Sequence, residues 1–257
     1  MIKALFFDID GTLVSFQTHR LQDSTIQAFA EARRKGIKLF IATGRQLHAI
    51  DNLGTEVFDG YVTLNGSLCY ASNNQIIYRN PIPDEDIRSL IDFMRVHPFP
   101  CGFVEADRIS MNYTNEITER LYAQINFPQQ PVRPLEEILD KTVYQLIAFF
   151  TKEEEPEIMP SLPHCTAPRW SPAFADVVVK GSDKGLGVQK ILEHFQIDPS
   201  EAMTFGDGGN DIPMFKDVAV GVAMGNAVDS VKQAADYVTT SVDEDGVYRA
   251  LKHFHVI

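Results

Sequence analysis

The sequence predicts an α/β protein whose parallel sheet is interrupted by a second, α+β segment. Three observations lead there. Short apolar runs ending in polar clusters alternate with helix-patterned stretches at both ends of the chain, which is the signature of a parallel sheet. Between about residues 84 and 178 that rhythm gives way to a mixture of strands and helices entered through Pro81-Ile82-Pro83. Finally, each polar cluster follows a strand end or opens a helix, so several can converge on the carboxyl edge of one sheet, where open α/β sheets bind their ligands.

The first run, Ala4-Leu5-Phe6-Phe7, stops at Asp8-Ile9-Asp10-Gly11-Thr12. Four apolar residues bounded by a turn signal read as a buried strand. Asp8 and Asp10 share a face while the backbone stays extended, and Gly11 bends it. On these five residues alone an Asx-type turn explains the carboxylates equally well. Helical stretches over residues 24–35 and 46–53 alternate with strands at 38–42 and 61–64, the first of which runs into Thr43-Gly44-Arg45. Asn65-Gly66 is a hairpin signal, and the polar Ser72-Asn73-Asn74-Gln75 separates short strands. Proline removes donors and stiffens the path at 81–83, which reads as a linker into a helix from Asp84.

In the middle segment, helices are expected near 86–96 and 116–123 and strands near 102–105, 109–113, 143–150 and 165–169. The acidic Glu153-Glu154-Glu155 reads as a solvated helix start. The β-α alternation resumes at Asp183-Lys184-Gly185, which opens a helix with Val188, Ile191, Leu192 and Phe195 on one stripe. The run Ala202-Met203-Thr204-Phe205 then leads into Gly206-Asp207-Gly208-Gly209-Asn210-Asp211, in which the two middle glycines read as turn residues at positive φ. A strand over 218–222, a helix over 227–235 capped by Asn226, and a last helix over 246–254 complete the chain.

Composition bounds the function. A chain of 257 residues, 44% apolar, can bury one large core or two smaller ones. With 23 basic and 35 acidic residues its formal charge of −12 argues against binding nucleic acid or an anionic membrane. Cys69, Cys101 and Cys165 are odd in number and far apart, with no His cluster at zinc spacing, so neither structural disulfides nor a zinc site is expected. No signal peptide precedes the first strand and no apolar stretch nears the ~20 residues that span a bilayer, which places the protein in the cytoplasm. His253 and His255 read as surface residues.

The set Asp8-Ile9-Asp10-Gly11-Thr12, Thr43-Gly44-Arg45, Lys184 and Gly206-Asp207-Gly208-Gly209-Asn210-Asp211 resembles the haloacid dehalogenase superfamily of phosphotransferases, and within it the Cof-type sugar phosphatases. All four motifs occur in order. The similarity runs from Met1 to the carboxyl terminus and includes Asn65-Gly66, Met224-Gly225-Asn226-Ala227 and Asp245-Gly246-Val247. The resemblance implies a Rossmann-like parallel-sheet core with helices on both faces, made of residues 1–83 and 179–257, and an inserted α+β cap over 84–178 that closes on the crevice.

Phosphomonoester hydrolysis is so slow that enzymes supply up to ~10²¹-fold acceleration, about 28 kcal/mol of barrier, more than any single group provides. A carboxylate nucleophile splits the displacement in two. By position in the resembled motif this is Asp8, while Asp10 protonates the leaving alcohol and then takes a proton from water, so its environment must hold a proton that Asp8 cannot. Asp8, Asp207 and Asp211 crowd negative charges that repel by about 4 kcal/mol at ~4 Å and an effective dielectric of about 20. A cation must sit among them. All-oxygen ligation and a phosphate substrate favour Mg²⁺, and the resemblance adds the backbone carbonyl of Asp10 as a ligand. Asp211 either acts as an outer partner of the metal or orients Lys184.

Thr43, through hydroxyl and N–H, with Lys184, Asn210 and Gly11, is expected to hold the phosphoryl oxygens. Gly44, Arg45 and Asn65 are further substrate contacts, Arg45 alternatively pairing with a carboxylate. In the cap, Glu105, Asn112, Tyr113, Arg169 and Trp170 are candidates for choosing the leaving group, and Trp170 can either stack on a sugar ring or fill the cap's own core. The expected function is Mg²⁺-dependent hydrolysis of a small phosphorylated metabolite, foremost a sugar phosphate, by a monomer or small homo-oligomer. A phosphomutase resembling the phosphomannomutases and a non-catalytic metabolite-binding protein would use the same residues.

Overall fold

A computed structural model describes residues 1–124, 128–169 and 171–257 of the chain. In chain order the elements are β1 (Ala4–Phe7), α1 (Asp23–Arg34), β2 (Lys38–Ala42), β3 (Gly60–Thr63), β4 (Leu68–Ala71), β5 (Ile76–Arg79), α2 (Asp84–Val96), β6 (Cys101–Val104), β7 (Ile109–Met111), α3 (Glu116–Gln124), α4 (Leu135–Ile138), β8 (Gln145–Ala148), α5 (Glu155–Ile158), β9 (Cys165–Thr166), β10 (Ala175–Val179), α6 (Lys184–Phe195), β11 (Ala202–Gly206), α7 (Ile212–Phe215), β12 (Val220–Ala223), α8 (Asp229–Ala234), β13 (Tyr237–Val238) and α9 (Gly246–His253). They form two compact units, Met1–Arg79 with Ser182–Ile257, and Asn80–Gly181.

The first unit is the expected α/β layer structure. Its sheet has the order β13-β12-β11-β1-β2-β3-β4-β5. β13 through β3 are parallel and the last two strands run antiparallel as a hairpin extension. β1 lies at the centre, with Ala4 opposite both Ala202 and Lys38. Alternation along β1 sends Leu5 and Phe7 to one face, where they pack with Phe29 of α1 and Val247, Ala250 and Leu251 of α9. Ala4 and Phe6 go to the other, against Val188, Ile191 and Leu192 of α6 and Met214 and Phe215 of α7. Helices therefore cover both faces. Because β1, β2 and β11 are adjacent and parallel, the residues following Phe7, Ala42 and Gly206 emerge side by side at one edge.

The second unit is a five-stranded sheet, β7-β6-β8-β10-β9, antiparallel at every pairing. Its core gathers Ile87, Leu90, Ile91 and Met94 of α2 with Phe103, Leu146, Ala148 and Val177. Among the described residues no helix is long and apolar enough to cross a membrane.

Some local expectations change. The helix expected over 46–53 is a single turn, Leu47–Ala49. Arg45 Nη1 donates to the Ala49 carbonyl at 3.0 Å, occupying the acceptor that a continuing helix would offer to residue 53. The strand expected over 165–169 stops at Thr166, ahead of Pro168, which lacks the N–H a ladder needs. β10 was not anticipated, because Asp176 breaks its apolar run. The residue that satisfies this carboxylate, Gln145 on β8, donates to it at 2.9 Å from 31 positions away. β13 was likewise not anticipated. Gly208 has φ −96°, and Gly209 is not among the positive-φ glycines, so neither needs the left-handed conformation expected of it.

Candidate active site

Four segments meet at the carboxyl edge of the first unit's sheet. Asp8 leaves β1 with its N–H on the Phe205 carbonyl of β11 at 3.0 Å, so the backbone is still in the sheet where the side chain is presented. Lys184 is the first residue of α6, whose entry is fixed by Asp183, its carboxylate accepting the Leu186 N–H at 2.9 Å. The fully buried Lys184 ammonium donates to Asp8 Oδ1 and to Asp211 Oδ1, each at 2.6 Å. Asp211 Oδ2 accepts the N–H groups of Asp207 and Gly208 at 2.9 and 2.8 Å. Asp211 therefore orients Lys184 and shapes the turn that presents Asp207.

Carboxylate atoms of Asp8, Asp207 and Asp211 lie within 4.8 Å of one another. Burial pushes the Asp8 carboxyl up to about 8 against the attraction of Lys184, with Asp211 and Asp207 adding to the rise. Burial also pushes Asp207 up to about 6, opposed by its hydrogen bond from Thr12. For Lys184 burial works against the charge, yet Asp211 and Asp8 outweigh it and hold the ammonium protonated. Three carboxylates thus share one ammonium, and the surplus negative charge in an all-oxygen donor set fits a hard divalent cation.

Gly11, at φ +86°, makes room for this arrangement, since a Cβ there would overlap the Asp207 carboxylate. Its N–H donates to the Val14 carbonyl at 2.9 Å, so the phosphate contact expected of Gly11 is not available through that donor. Thr43 also differs from expectation. Its N–H continues the sheet to the Val62 carbonyl at 2.8 Å, while its hydroxyl accepts the Arg45 N–H at 3.1 Å and keeps its own proton to donate.

Asp10 is engaged by Arg45. Nε and Nη2 reach its two oxygens at 2.8 and 2.6 Å, a bidentate pair. Both Asp10 oxygens are therefore occupied by the guanidinium in this structure, whereas Asp8 is a carboxyl that burial pushes up. Arg45 takes the carboxylate-pairing alternative.

Asn65-Gly66 forms the β3–β4 hairpin and also belongs to the site. The Asn65 and Leu64 N–H groups donate to the Thr43 and Arg45 carbonyls at 3.1 and 3.2 Å. The Asn65 side-chain oxygen accepts from Asn210 Nδ2 at 3.0 Å, and its amide lies over Gly44. Gly66, at φ +93°, lies against the Asp183 carbonyl at the start of α6, where a Cβ would overlap.

In the second unit, Asn112 and Arg169 make hydrogen bonds within that unit. Asn112 accepts the Cys101 and Tyr113 N–H groups, both at 2.8 Å, and donates to the Phe99 carbonyl at 2.9 Å. Arg169 donates to the Phe150 and Thr151 carbonyls at 2.7 and 3.0 Å, and to Glu155 at 3.3 Å. Glu105 faces Arg133 at 3.9 Å. Trp170 lies outside the described residues.

Two residues of the first unit were given no site role by sequence reasoning. The Thr12 hydroxyl donates to Asp207 Oδ1 at 3.0 Å. Asn226, expected to cap the next helix, instead reaches Gly11 and Asp207, and α8 begins after Val228 with no side-chain cap. The only sequence signal for either was membership of a quoted motif.

The family model described as haloacid dehalogenase-like hydrolase matches residues 5–251. The chain belongs to the haloacid dehalogenase-like hydrolases. YkrA of Bacillus subtilis, named as a candidate phosphatase, is 32% identical over 99% of this chain and 98% of its own length. Among solved structures, the subclass IIB sugar phosphatase BT4131 of the same superfamily is 48% identical, covers 99% of this chain and 100% of its own, and superposes with a TM-score of 0.85. BT1666 of Bacteroides thetaiotaomicron, described among the phosphatases of that superfamily, is 40% identical over 100% of this chain and 96% of its own, with a TM-score of 0.90. The Cof-type haloacid dehalogenase resemblance and the α/β fold read from the sequence hold.

Proposed function

We propose that this chain is a magnesium-dependent phosphatase of small phosphorylated metabolites, sugar phosphates foremost, working through an aspartyl-phosphate on Asp8. The observation that carries the reading is the buried Asp8 carboxylate, with one oxygen held at 2.6 Å by Lys184 and with Asp207 and Asp211 close enough to share a cation with it. The 48% identity to a sugar phosphatase supports the substrate class. Side chains of Asp8 and Asp207, with the Asp10 backbone carbonyl and Asp211 behind them, would hold the metal, which when bound supplies a Lewis acid that neutralises charge on the phosphoryl oxygens.

Lys184 fixes Asp8 through Oδ1, which leaves the other oxygen to attack phosphorus. The bond from phosphorus to the leaving oxygen breaks as the new one forms, and Asp10 delivers a proton to the departing alcoholate. It does so only after its carboxylate has parted from Arg45 and taken a proton from solvent, the proton that water restores in the second half-reaction. Asp10 then takes a proton from water, whose oxygen displaces Asp8 from phosphorus and releases inorganic phosphate. Lys184, the Thr43 hydroxyl and the Asn210 amide hold the phosphoryl oxygens through these steps. The Asn80–Gly181 unit is the cap of this reading and supplies the choice of leaving group.

The test is phosphate release from a panel of phosphorylated sugars, nucleotides, pyridoxal phosphate and short acids, with magnesium and with EDTA. Magnesium-dependent release, strongest for sugar phosphates, is expected. Release that persists in EDTA contradicts the metal, and release confined to nucleotides contradicts the substrate class.

A further inference from the structure

We infer that Asn226 is a positioning residue for Asp207, setting how tightly the site binds its cation. This deepens the reading above and rests on Asp207 being a metal ligand. The orientation of the Asn226 amide is fixed by chemistry. The Val242 N–H can only donate, and the Asn226 atom it meets at 2.9 Å is therefore the side-chain oxygen. The NH₂ group then faces the Gly11 carbonyl at 2.8 Å and Asp207 Oδ2 at 3.4 Å.

Asp207 is thereby gripped from two sides, by the Thr12 hydroxyl on Oδ1 and by Asn226 on Oδ2. An amide and a hydroxyl orient the carboxylate without cancelling its charge, which stays available to a cation. The contact to Gly11 matters as well, because the Gly11 peptide sets the turn after Asp10, and only a glycine there leaves space for Asp207. Asn226 is exposed, and water could satisfy an exposed amide. Three directed bonds to three separate segments mark a side chain held in place for its neighbours rather than one filling a core.

The same contacts give a task to two motif segments that touch no phosphoryl group in the proposed reaction. The Gly225 N–H donates to the Thr240 carbonyl at 3.0 Å, docking the Met224–Ala227 loop on the segment that carries Val242. Asp245, at the start of α9, accepts the Ser24 hydroxyl of α1 at 2.6 Å and ties that segment to the helical layer. Together they form the bracket from which Asn226 reaches the metal-binding loop.

The experiment is a magnesium titration of melting temperature for wild type, Asn226→Ala and Asn226→Ser, with kcat and KM measured at each magnesium concentration. We expect the magnesium midpoint to rise about tenfold or more in the variants, within the range usual for residues that orient metal ligands. Saturating magnesium should recover most of kcat, with KM for the phosphorylated substrate little changed. A midpoint within twofold of wild type in whichever variant folds overturns the inference, whatever happens to the metal-free melting temperature. Failure of both variants to fold also overturns it, because the residue would then hold the fold rather than the ligand. A wild-type protein whose melting temperature ignores magnesium overturns the reading of Asp207 and this inference together.

Discussion

Lys184 carries more of the site than its single charge suggests. It is fully buried between Asp8 and Asp211, and removing one member of such a cluster leaves charges that neither water nor a partner compensates. Lys184→Met should cost about 3–5 kcal/mol of metal-free stability at neutral pH, measured by urea unfolding. The loss should grow above about pH 8, where wild-type Asp8 gives up its proton and Lys184 is there to meet the charge. The same crowding gives wild type a pH dependence of definite sign. Asp8 and Asp207 hold their protons to about 8 and about 6 in the folded chain, against roughly 4 when unfolded. Protonation therefore favours the fold, and their contribution to metal-free stability is complete below about pH 4 and is lost as pH rises through these two values. Unfolding measured in EDTA across that window should show the decline, and Asp8→Asn should show a smaller one. An Asp8→Asn profile that falls as steeply as wild type would contradict the assignment.

At the scale of elements, the site depends on close approaches between loops as well as on strand ends. Gly66 sits at φ +93° against the Asp183 carbonyl, so a methyl group there meets both backbone strain and overlap with the start of α6. Gly66→Ala should lose about 1–3 kcal/mol by chemical denaturation, together with activity, because Lys184 is the next residue after Asp183. Gly36→Ala is the control: φ is +77° there, yet nothing lies within 4 Å of the added carbon. Its activity should stay near wild type, and equal losses of activity in the two variants would contradict the argument. What was legible at this scale follows the same division. β1 and β2 could be read residue for residue because a buried parallel strand is a continuous apolar run. The stretch 46–53 could not, because the hydrogen bond that ends its helix comes from the Arg45 side chain and is no part of a local pattern. β10 was hidden for a related reason, its Asp176 being satisfied by a residue on another strand.

Across the whole molecule, the chain returns to its first sheet after an insertion of about a hundred residues, and β11 pairs with β1 to bring Asp207 beside Asp8. The residue types and their order announced that convergence. The hydrogen bonds that refine it were not in the sequence. That the Thr43 N–H belongs to the sheet, that Arg45 holds Asp10, and that Asn226 reaches Gly11 from 215 positions away all depend on backbone placement in three dimensions. On the proposed reading the first unit holds the phosphoryl group and the second reads the rest of the substrate, so a change at Asp8 in the full chain tests the central claim whichever substrate is preferred. The most direct measurement is phosphate release by wild type and Asp8→Asn side by side, at saturating magnesium and on the best substrate of the panel. Wild type should release phosphate, and Asp8→Asn should fall to background while still folded by circular dichroism. A folded Asp8→Asn protein that releases phosphate within tenfold of wild type would contradict the central claim.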